Sequence, residues 1–405
     1  MTNRNINTST DGFTVLRPPR RQFLAGAGAL ALTSAVATPF VARASSDPFK
    51  LGVLLPFSGG LELFGEQGLQ GIRMAVDEMN ADGGVLGRQI EIVQADDRTD
   101  PRTAVERATQ LIRRDEVNAI VGPVTSANRD AIKSTIERGE TPLLYATDYE
   151  GGVCSDWIAC YSPLPAHYVE PLIPFLAESG SSSYYLFGAD YIWPQLMNRA
   201  IQAVVEESGG SVAEEEYSPF GVRDFAPTIR KIEESGADTV ILTLPGADGV
   251  TFVKQLHAAG LRDQVRIAFL GFNENYLPGF DDSEVEGIIA PVPFHQRLDR
   301  PEARDFVARQ RAANGDDAVV SYYAESHYGI TSFYLDAVRS ADSDDRAAVM
   351  AALPDQTKTF GNGEVTLRAS DKHVDLNMII AEVQDGAIET HTYIGQVDAP
   401  DQCTV

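Results

Sequence analysis

The sequence predicts an α/β protein built as two doubly wound lobes, joined by crossing strands, with a cleft between them. Three observations carry that prediction. Short β-rich runs alternate with amphipathic helical stretches from residue 51 to residue 270, the pattern that builds parallel sheets with helices on both faces. The rhythm breaks twice, over Ile158–Pro165 and Gly287–Phe294, each time after a βα block and each time near proline. A final β-rich stretch, residues 359–394, contains a hairpin signal at Asp385-Gly386.

Each element follows from its own residues. Leu51-Gly52-Val53-Leu54-Leu55 is a continuous apolar run, as a strand buried on both faces requires. Gln67–Asn80 places Leu69, Ile72, Val76 and Met79 on one helical face. Strand Gln89–Gln94, helix Pro101–Arg114 with proline in its first turn, strand Ala119–Val121, helix Ser126–Arg138 and strand Pro142–Tyr145 complete the first block. The second block runs through Tyr184–Phe187, Pro194–Glu207, Val212–Tyr217, Phe225–Glu234, Thr239–Leu244, Gly249–Ala259 and Ile267–Leu270. Residues 321–352 are helical, and Val374–Val383 pairs with Ile388–Tyr393. The expected division is residues 45–162 plus about 293–345 for lobe 1, and about 163–292 plus about 346–396 for lobe 2. Residues 397–405 form a tail.

In open α/β sheets, ligands bind beyond the carboxyl ends of the strands. That rule selects the turns Pro56–Phe64, Gly122–Asn128, Ala146–Gly151, Gly188–Pro194, Pro245–Asp248 and Gly271–Asn275.

The N-terminus has a different character. Arg20-Arg21-Gln22-Phe23-Leu24 precedes a mild apolar run, Ala25–Ala37, and Ala42-Arg43-Ala44 closes it. A charged region, an apolar region and an A-x-A site make an export leader, and the arginine pair resembles a twin-arginine (Tat) signal. The apolar run is shorter than the roughly 20 residues a bilayer needs. Residues 1–44 are therefore expected to be removed after Ala44, with the Tat translocase as a partner during export and the periplasm as the destination. The chain carries a formal charge of −25. The leader holds five arginines and one aspartate, so the remainder is more acidic still. Such a surface argues against nucleic acid or anionic membranes as partners. Cys154 and Cys160 lie in a Gly-rich, turn-prone segment, a spacing that permits a small-loop disulfide in an oxidising compartment. Cys403 is then left over.

The turns also carry a resemblance. Leu54-Leu55-Pro56-Phe57-Ser58-Gly59-Gly60, Asn80-Ala81-Asp82-Gly83-Gly84-Val85-Leu86-Gly87-Arg88 and Val121-Gly122-Pro123-Val124-Thr125-Ser126 are similar to segments of type I periplasmic solute-binding proteins, the leucine/isoleucine/valine-binding superfamily. The match runs in order over most of the chain. Leu144–Gly151 and Gly188–Pro194, with Asn198, resemble the branch that binds short-chain amides and urea. The resemblance implies an ABC importer component that closes on a small polar ligand and docks on a membrane permease. It places Ser126, Tyr145, Thr147, Tyr191 and Trp193 around that ligand. Asp148 departs from the branch, which usually has a neutral residue there, and points away from an uncharged ligand.

From chemistry alone, Ser126 at a helix N-terminus reads either as a plain cap or as a holder of a carbonyl or carboxylate oxygen. Thr147 offers a second hydroxyl, or is a solvated turn residue. Tyr145, Tyr149, Tyr191 and Trp193 supply aromatic walls, or lobe core. Asp148, Glu150, Asp190 and Glu274 are acids at cleft-facing turns, read either as ordinary surface acids or as partners of a ligand ammonium, with Asp148 the foremost candidate for the second role. Gly246 and Asn273 complete the candidate set. Arg129, one turn into its helix, is expected to be solvated, and His327 and Tyr328 to be packing residues. No G-x-S-x-G, P-loop, C-x-x-C or H-E-x-x-H occurs, and Gly26-Ala27-Gly28 falls in the leader. No catalytic residue, cofactor or metal is assigned. A sensor of the same fold is the alternative function, and an amide-processing enzyme the more distant one.

Overall fold

The computed structural model describes residues 47–404. The leader read over residues 1–44 lies outside them.

The chain begins with β1 (Phe49–Leu55), α1 (Glu62–Ala81), β2 (Ile90–Asp96), α2 (Pro101–Arg113), β3 (Ala119–Val121), α3 (Ser126–Arg138), β4 (Leu143–Tyr145) and β5 (Ile158–Cys160). These strands form a five-stranded parallel sheet in the order β2-β1-β3-β4-β5. Next come α4 (Pro165–Glu178), β6 (Ser183–Ala189), α5 (Ile192–Glu207), β7 (Ser211–Ser218), α6 (Ala226–Ser235), β8 (Thr239–Thr243), α7 (Ala247–Ala258), β9 (Arg266–Phe269), α8 (Asp282–Val285) and β10 (Ile289–Val292). The chain then returns through α9 (Pro301–Asn314), α10 (Tyr322–Ala341), α11 (Arg346–Ala352), β11 (Thr357–Phe360) and β12 (Gly363–Thr366). It ends in β13 (Leu376–Gln384) and β14 (Ala387–Val397). The second sheet is seven-stranded, in the order β14-β13-β10-β9-β8-β6-β7, with β13 antiparallel to both of its neighbours and the other pairings parallel.

Local rules explain the helix starts. Asp100 caps α2 by accepting from the Thr103 amide at 2.7 Å, with Pro101 at the first position. Thr125 caps α3 by accepting from the Asn128 amide at 3.1 Å, so Ser126 is the first helical residue rather than the cap.

One expected boundary moves. α11 packs on α10, its Val349 and Met350 buried, and the short β11–β12 hairpin stays with α9. The chain therefore remains on the first lobe past residue 345 and joins the second sheet only at β13. The three crossings meet around buried Glu325 of α10. One of its oxygens accepts from the Tyr161 hydroxyl after β5, at 3.0 Å, and from the Asn362 amide between β11 and β12, also at 3.0 Å. The Asn362 side chain in turn reaches the Pro293 carbonyl after β10, and the Asn377 carbonyl in β13 at 2.8 Å.

The expected disulfide is also corrected. Cys154 pairs with Cys403, 249 residues away, and Cys160 is a buried free thiol. Cys160 ends β5 and is fully buried, whereas Cys154 lies in the exposed turn that the C-terminal segment reaches.

α1 and α10 are the longest helices of the first lobe, and they pack with backbones in close approach. Gly71 permits it: a Cβ there would strike the Ala324 carbonyl of α10. The same face holds His327 against Gly68, as the packing role expected of that histidine requires. Gly71→Ala should lower unfolding free energy by about 1–3 kcal/mol through overpacking, read as a lower urea midpoint. An unchanged midpoint would refute the close approach.

Candidate functional site

Each sheet reverses its strand order beside its first strand, between β1 and β3 in one lobe and between β6 and β8 in the other. The loops leaving these strands face one another. Between them lies a tight pocket of about 20 Å³, lined by Leu61, Phe64, Val124, Ser126, Thr147, Asp148, Tyr191, Trp193, Pro245, Gly271 and Tyr323. All six turns selected from the sequence contribute to that wall.

The structure brings Ser126, Thr147, Asp148, Tyr191 and Trp193 together on it. Ser126 donates its hydroxyl proton to Glu150 Oε2 at 2.5 Å. Glu150 also accepts from Arg129 at 2.7 Å, with only 2% and 4% of the two side chains exposed. Arg129 is thus buried, not solvated. Its guanidinium lies over the rings of Tyr145 and Tyr149, at 5.2 and 4.6 Å. Thr147 Oγ1 and Trp193 Nε1 are both buried without a partner. Asp148 is buried. Its Oδ1 accepts from the Tyr323 hydroxyl at 2.6 Å and from Tyr322 at 3.4 Å. Its Oδ2 faces Gly271 of the opposite lobe, 3.6 Å from where a Cβ would stand. Burial raises the Asp148 pKa, and the tyrosine bonds only partly counter it. Among the described residues no cationic side chain pairs with Asp148. Tyr191 stacks on Trp193 and touches Phe220, making an aromatic row from pocket to rim.

The other candidates stand elsewhere. Tyr145 is fully buried behind Ser126 and donates to the Val124 carbonyl at 2.9 Å. Tyr149 turns away and bonds His373 at 2.5 Å. Gly246 lies at a contact between the lobes. Its φ is +75°, and a Cβ would come within 2.7 Å of the Gly60 carbonyl and the Leu61 side chain. Asn273 ties its own turn, bonding Gly271 and Asn275. Glu274 accepts from the Gln296 amide at 2.5 Å, beside the second crossing. Tyr323 is the pocket residue missed in sequence. Its signal was the Tyr322-Tyr323 pair in the first turn of α10. Among the described residues no cluster able to hold a metal occurs, and no helix is long and apolar enough to cross a membrane.

Two α/β lobes meeting on one small polar pocket define a solute-binding architecture. The family model for the periplasmic binding proteins matches residues 48–387, and the chain belongs to that family. Leu/Ile/Val-binding protein homolog 6 of Brucella melitensis is 24% identical over 365 residues, covering 87% of this chain and 92% of the relative. Among solved structures, a solute-binding protein of an R. palustris ABC transporter in complex with 4-hydroxybenzoate superposes with a TM-score of 0.80. It has 25% identity and covers 88% of this chain and 98% of the other. The branched-chain amino acid binding protein LivJ of Streptococcus pneumoniae, with isoleucine, has a TM-score of 0.78 at 20% identity, covering 86% and 100%. All three are binding proteins, and this chain too is a binding protein rather than an enzyme.

Two carboxyls near the crossings, Glu274 and Glu325, generate a pH prediction. Burial pushes each from the ordinary 4.5 up to about 7. The folded protein therefore holds protons that the unfolded chain releases between these values. This contribution is fully present below pH 4.5 and is lost as pH rises through 7. Buried histidines act in the opposite sense, since burial holds His295, His327 and His373 down to about 4. The Glu325 share is isolated by comparing the parent with Glu325→Gln in urea unfolding from pH 5 to 8. The parent should lose up to roughly 3 kcal/mol more than the variant over that range. Parallel profiles would refute it.

Proposed function

We propose that this chain is the solute-binding component of an ABC importer and captures a small amino acid with an apolar side chain. The observation that carries the reading is the polarity of the pocket wall. Ser126 has committed its proton to the ion-paired Glu150, so its oxygen is left as an acceptor. Asp148 Oδ2 is a second acceptor with no cation beside it. These two suit a ligand ammonium, since a buried carboxylate needs a partner. Thr147 and Trp193 hold unpaired donors for a ligand carboxylate. Leu61, Phe64, Val124 and Pro245 provide apolar wall for a side chain.

The leucine/isoleucine/valine-binding relatives support this ligand class. An aromatic carboxylate, as in the R. palustris proteins, would place a second anion beside Asp148 with no cation in the pocket wall. A short-chain amide is the second reading, favoured by the raised Asp148 pKa, because a neutral carboxyl suits a neutral ligand. Export follows the leader: the twin-arginine pair directs the precursor to the Tat translocase, cleavage follows Ala44, and the mature protein works in the periplasm and docks on a permease when closed.

Calorimetry of the mature protein with L-leucine, L-isoleucine, propionamide and benzoate tests the ligand. L-Leucine or L-isoleucine should bind. Asp148→Asn should weaken that binding by about 2 kcal/mol or more, as loss of a charged hydrogen bond does, while leaving any propionamide binding within a few-fold. Binding of benzoate alone, or an Asp148→Asn protein indifferent to every ligand, would overturn the assignment. For export, Arg20-Arg21→Lys-Lys should leave uncleaved precursor in the cytoplasm. Normal periplasmic yield of that variant would discard the Tat route.

A further inference from the structure

The loop that carries Thr147 and Asp148 has little structure of its own. Between β4 and β5 its backbone is irregular and includes consecutive glycines at positive φ, Gly151 and Gly152. Tyr149 donates its amide to the Pro163 carbonyl at 3.2 Å. Asp148 is held by Tyr322 and Tyr323, and Glu150 by Arg129 and Ser126. The later part of the loop, Gly152–Cys154, is held by the C-terminal segment and the turn beneath it.

After β14 leaves the second lobe at Val397, the chain runs back to the first. Arg368 donates to the Ala399 carbonyl at 2.6 Å and pairs with Asp371 and Asp375, each at 2.6 Å. The Gln402 amide donates to Asp371 Oδ2 at 2.9 Å. The Gln402 side chain then accepts from the Gly152 amide at 2.7 Å. One residue further on, Cys403 is bonded to Cys154. The same turn reaches the middle of the loop, because Tyr149 bonds His373 and His373 bonds the Asp371 carbonyl at 2.8 Å.

We propose that residues 398–403 form a strap, locked by the Cys154–Cys403 disulfide, that positions the Thr147–Asp148 wall of the pocket and makes ligand retention conditional on that disulfide. Gln402 and the two cysteines are positioning residues, since none of them lines the pocket. Both cysteines lie in exposed residues and are open to a reductant. The third thiol does not compete. Cys160 is fully buried, and burial pushes it up to about 12, so it carries almost no thiolate for exchange. Reduction by dithiothreitol transfers two electrons and two protons to the pair. The Cys154 and Cys403 sulfurs separate as thiols, and the reagent closes to its cyclic disulfide.

Hydrogen exchange of the mature chain tests the strap without any ligand, so it stands apart from the ligand reading. In the reduced protein and in Cys403→Ser, amides of residues 147–153 should exchange about tenfold faster or more, with β1 and β3 unchanged. A Cys154→Ser/Cys403→Ser double variant should match the reduced parent and ignore dithiothreitol. Gln402→Ala, with the disulfide intact, should release the Gly152 amide alone. In a second arm, the L-leucine dissociation rate should rise about tenfold on reduction, a coupling of ordinary size. Equal exchange in the oxidised and reduced folded protein overturns the strap. If L-leucine fails to bind in either redox state, the ligand reading fails and the exchange comparison still decides the strap.

Discussion

The buried Arg129–Glu150 pair is the interaction on which the first lobe's half of the pocket stands. Arg129 is on α3 and Glu150 on the irregular loop after β4, so the pair locks a helix start to a loop with little regular structure. Its environment is nearly dry, with tyrosine faces on one side of the guanidinium. Breaking such a pair by removing one partner costs about 3–5 kcal/mol, because the survivor is left as an unpaired buried charge. The pair also sets the chemistry of its neighbour. Because Glu150 takes the Ser126 proton, Ser126 presents a lone pair to the pocket. A serine at a helix start is usually pictured as a donor to an anion; here the ion pair behind it reverses that sense.

The second constraint is the placement of negative charge. In a chain at −25, most acids lie in water or in surface pairs, worth little individually. Asp148, Glu274 and Glu325 differ. Each is buried, each is held by hydroxyl or amide donors, and none is paired with a cation among the described residues. Two of these three stand at lobe crossings and one in the pocket, while Asp97 after β2 and Asp248 in α7 are likewise buried without a cation among the described residues. A ligand ammonium would relieve the Asp148 cost only in the closed form, where its Oδ2 faces the opposite lobe across Gly271. On the proposed reading, such a ligand would have a larger affinity for the closed arrangement than for an open one, which is what shifting a two-state equilibrium requires.

Much of this was legible in the sequence, for identifiable reasons. Buried parallel strands such as Leu51–Leu55 read as apolar runs, and the amphipathic helices between them repeat at 3.6. Strand-to-helix turns were therefore locatable, and the topology rule that ligands sit beyond strand ends pointed to all six turns of the pocket wall. Side-chain direction within those turns was not legible. Tyr149 belongs to the same turn as Thr147 and Asp148, yet it points into the lobe, because a loop without regular structure has no period to read; Tyr145 ends β4 and is buried with the rest of that strand. Arg129 looked solvated because its partner, Glu150, is 21 residues away and meets it only through the loop's path. The disulfide failed for the same reason on a larger scale. Cys154 and Cys160 are close in sequence, but β5 turns Cys160 into the core, while the C-terminal segment returns across 249 residues to meet Cys154.

Gly246 shows how closure itself is encoded away from the ligand. It lies in the second lobe, and its missing side chain lets the Gly60 carbonyl and Leu61 of the first lobe approach. Its amide is satisfied by the Tyr276 hydroxyl at 2.9 Å, so the turn is held without any bond to the opposite lobe. The contact is therefore one of shape alone. It fixes how near the lobes come, and with them the distance across which Asp148 faces Gly271. A side chain at Gly271 would occupy the space in front of Asp148 Oδ2, just as one at Gly246 would hold the lobes apart. Both glycines stand at positive φ, +75° and +83°, which L-residues rarely adopt. The backbone requirement and the spatial requirement thus coincide at two of the contacts between the lobes, one of them in the pocket wall itself, and the spacing of the lobes there depends on them.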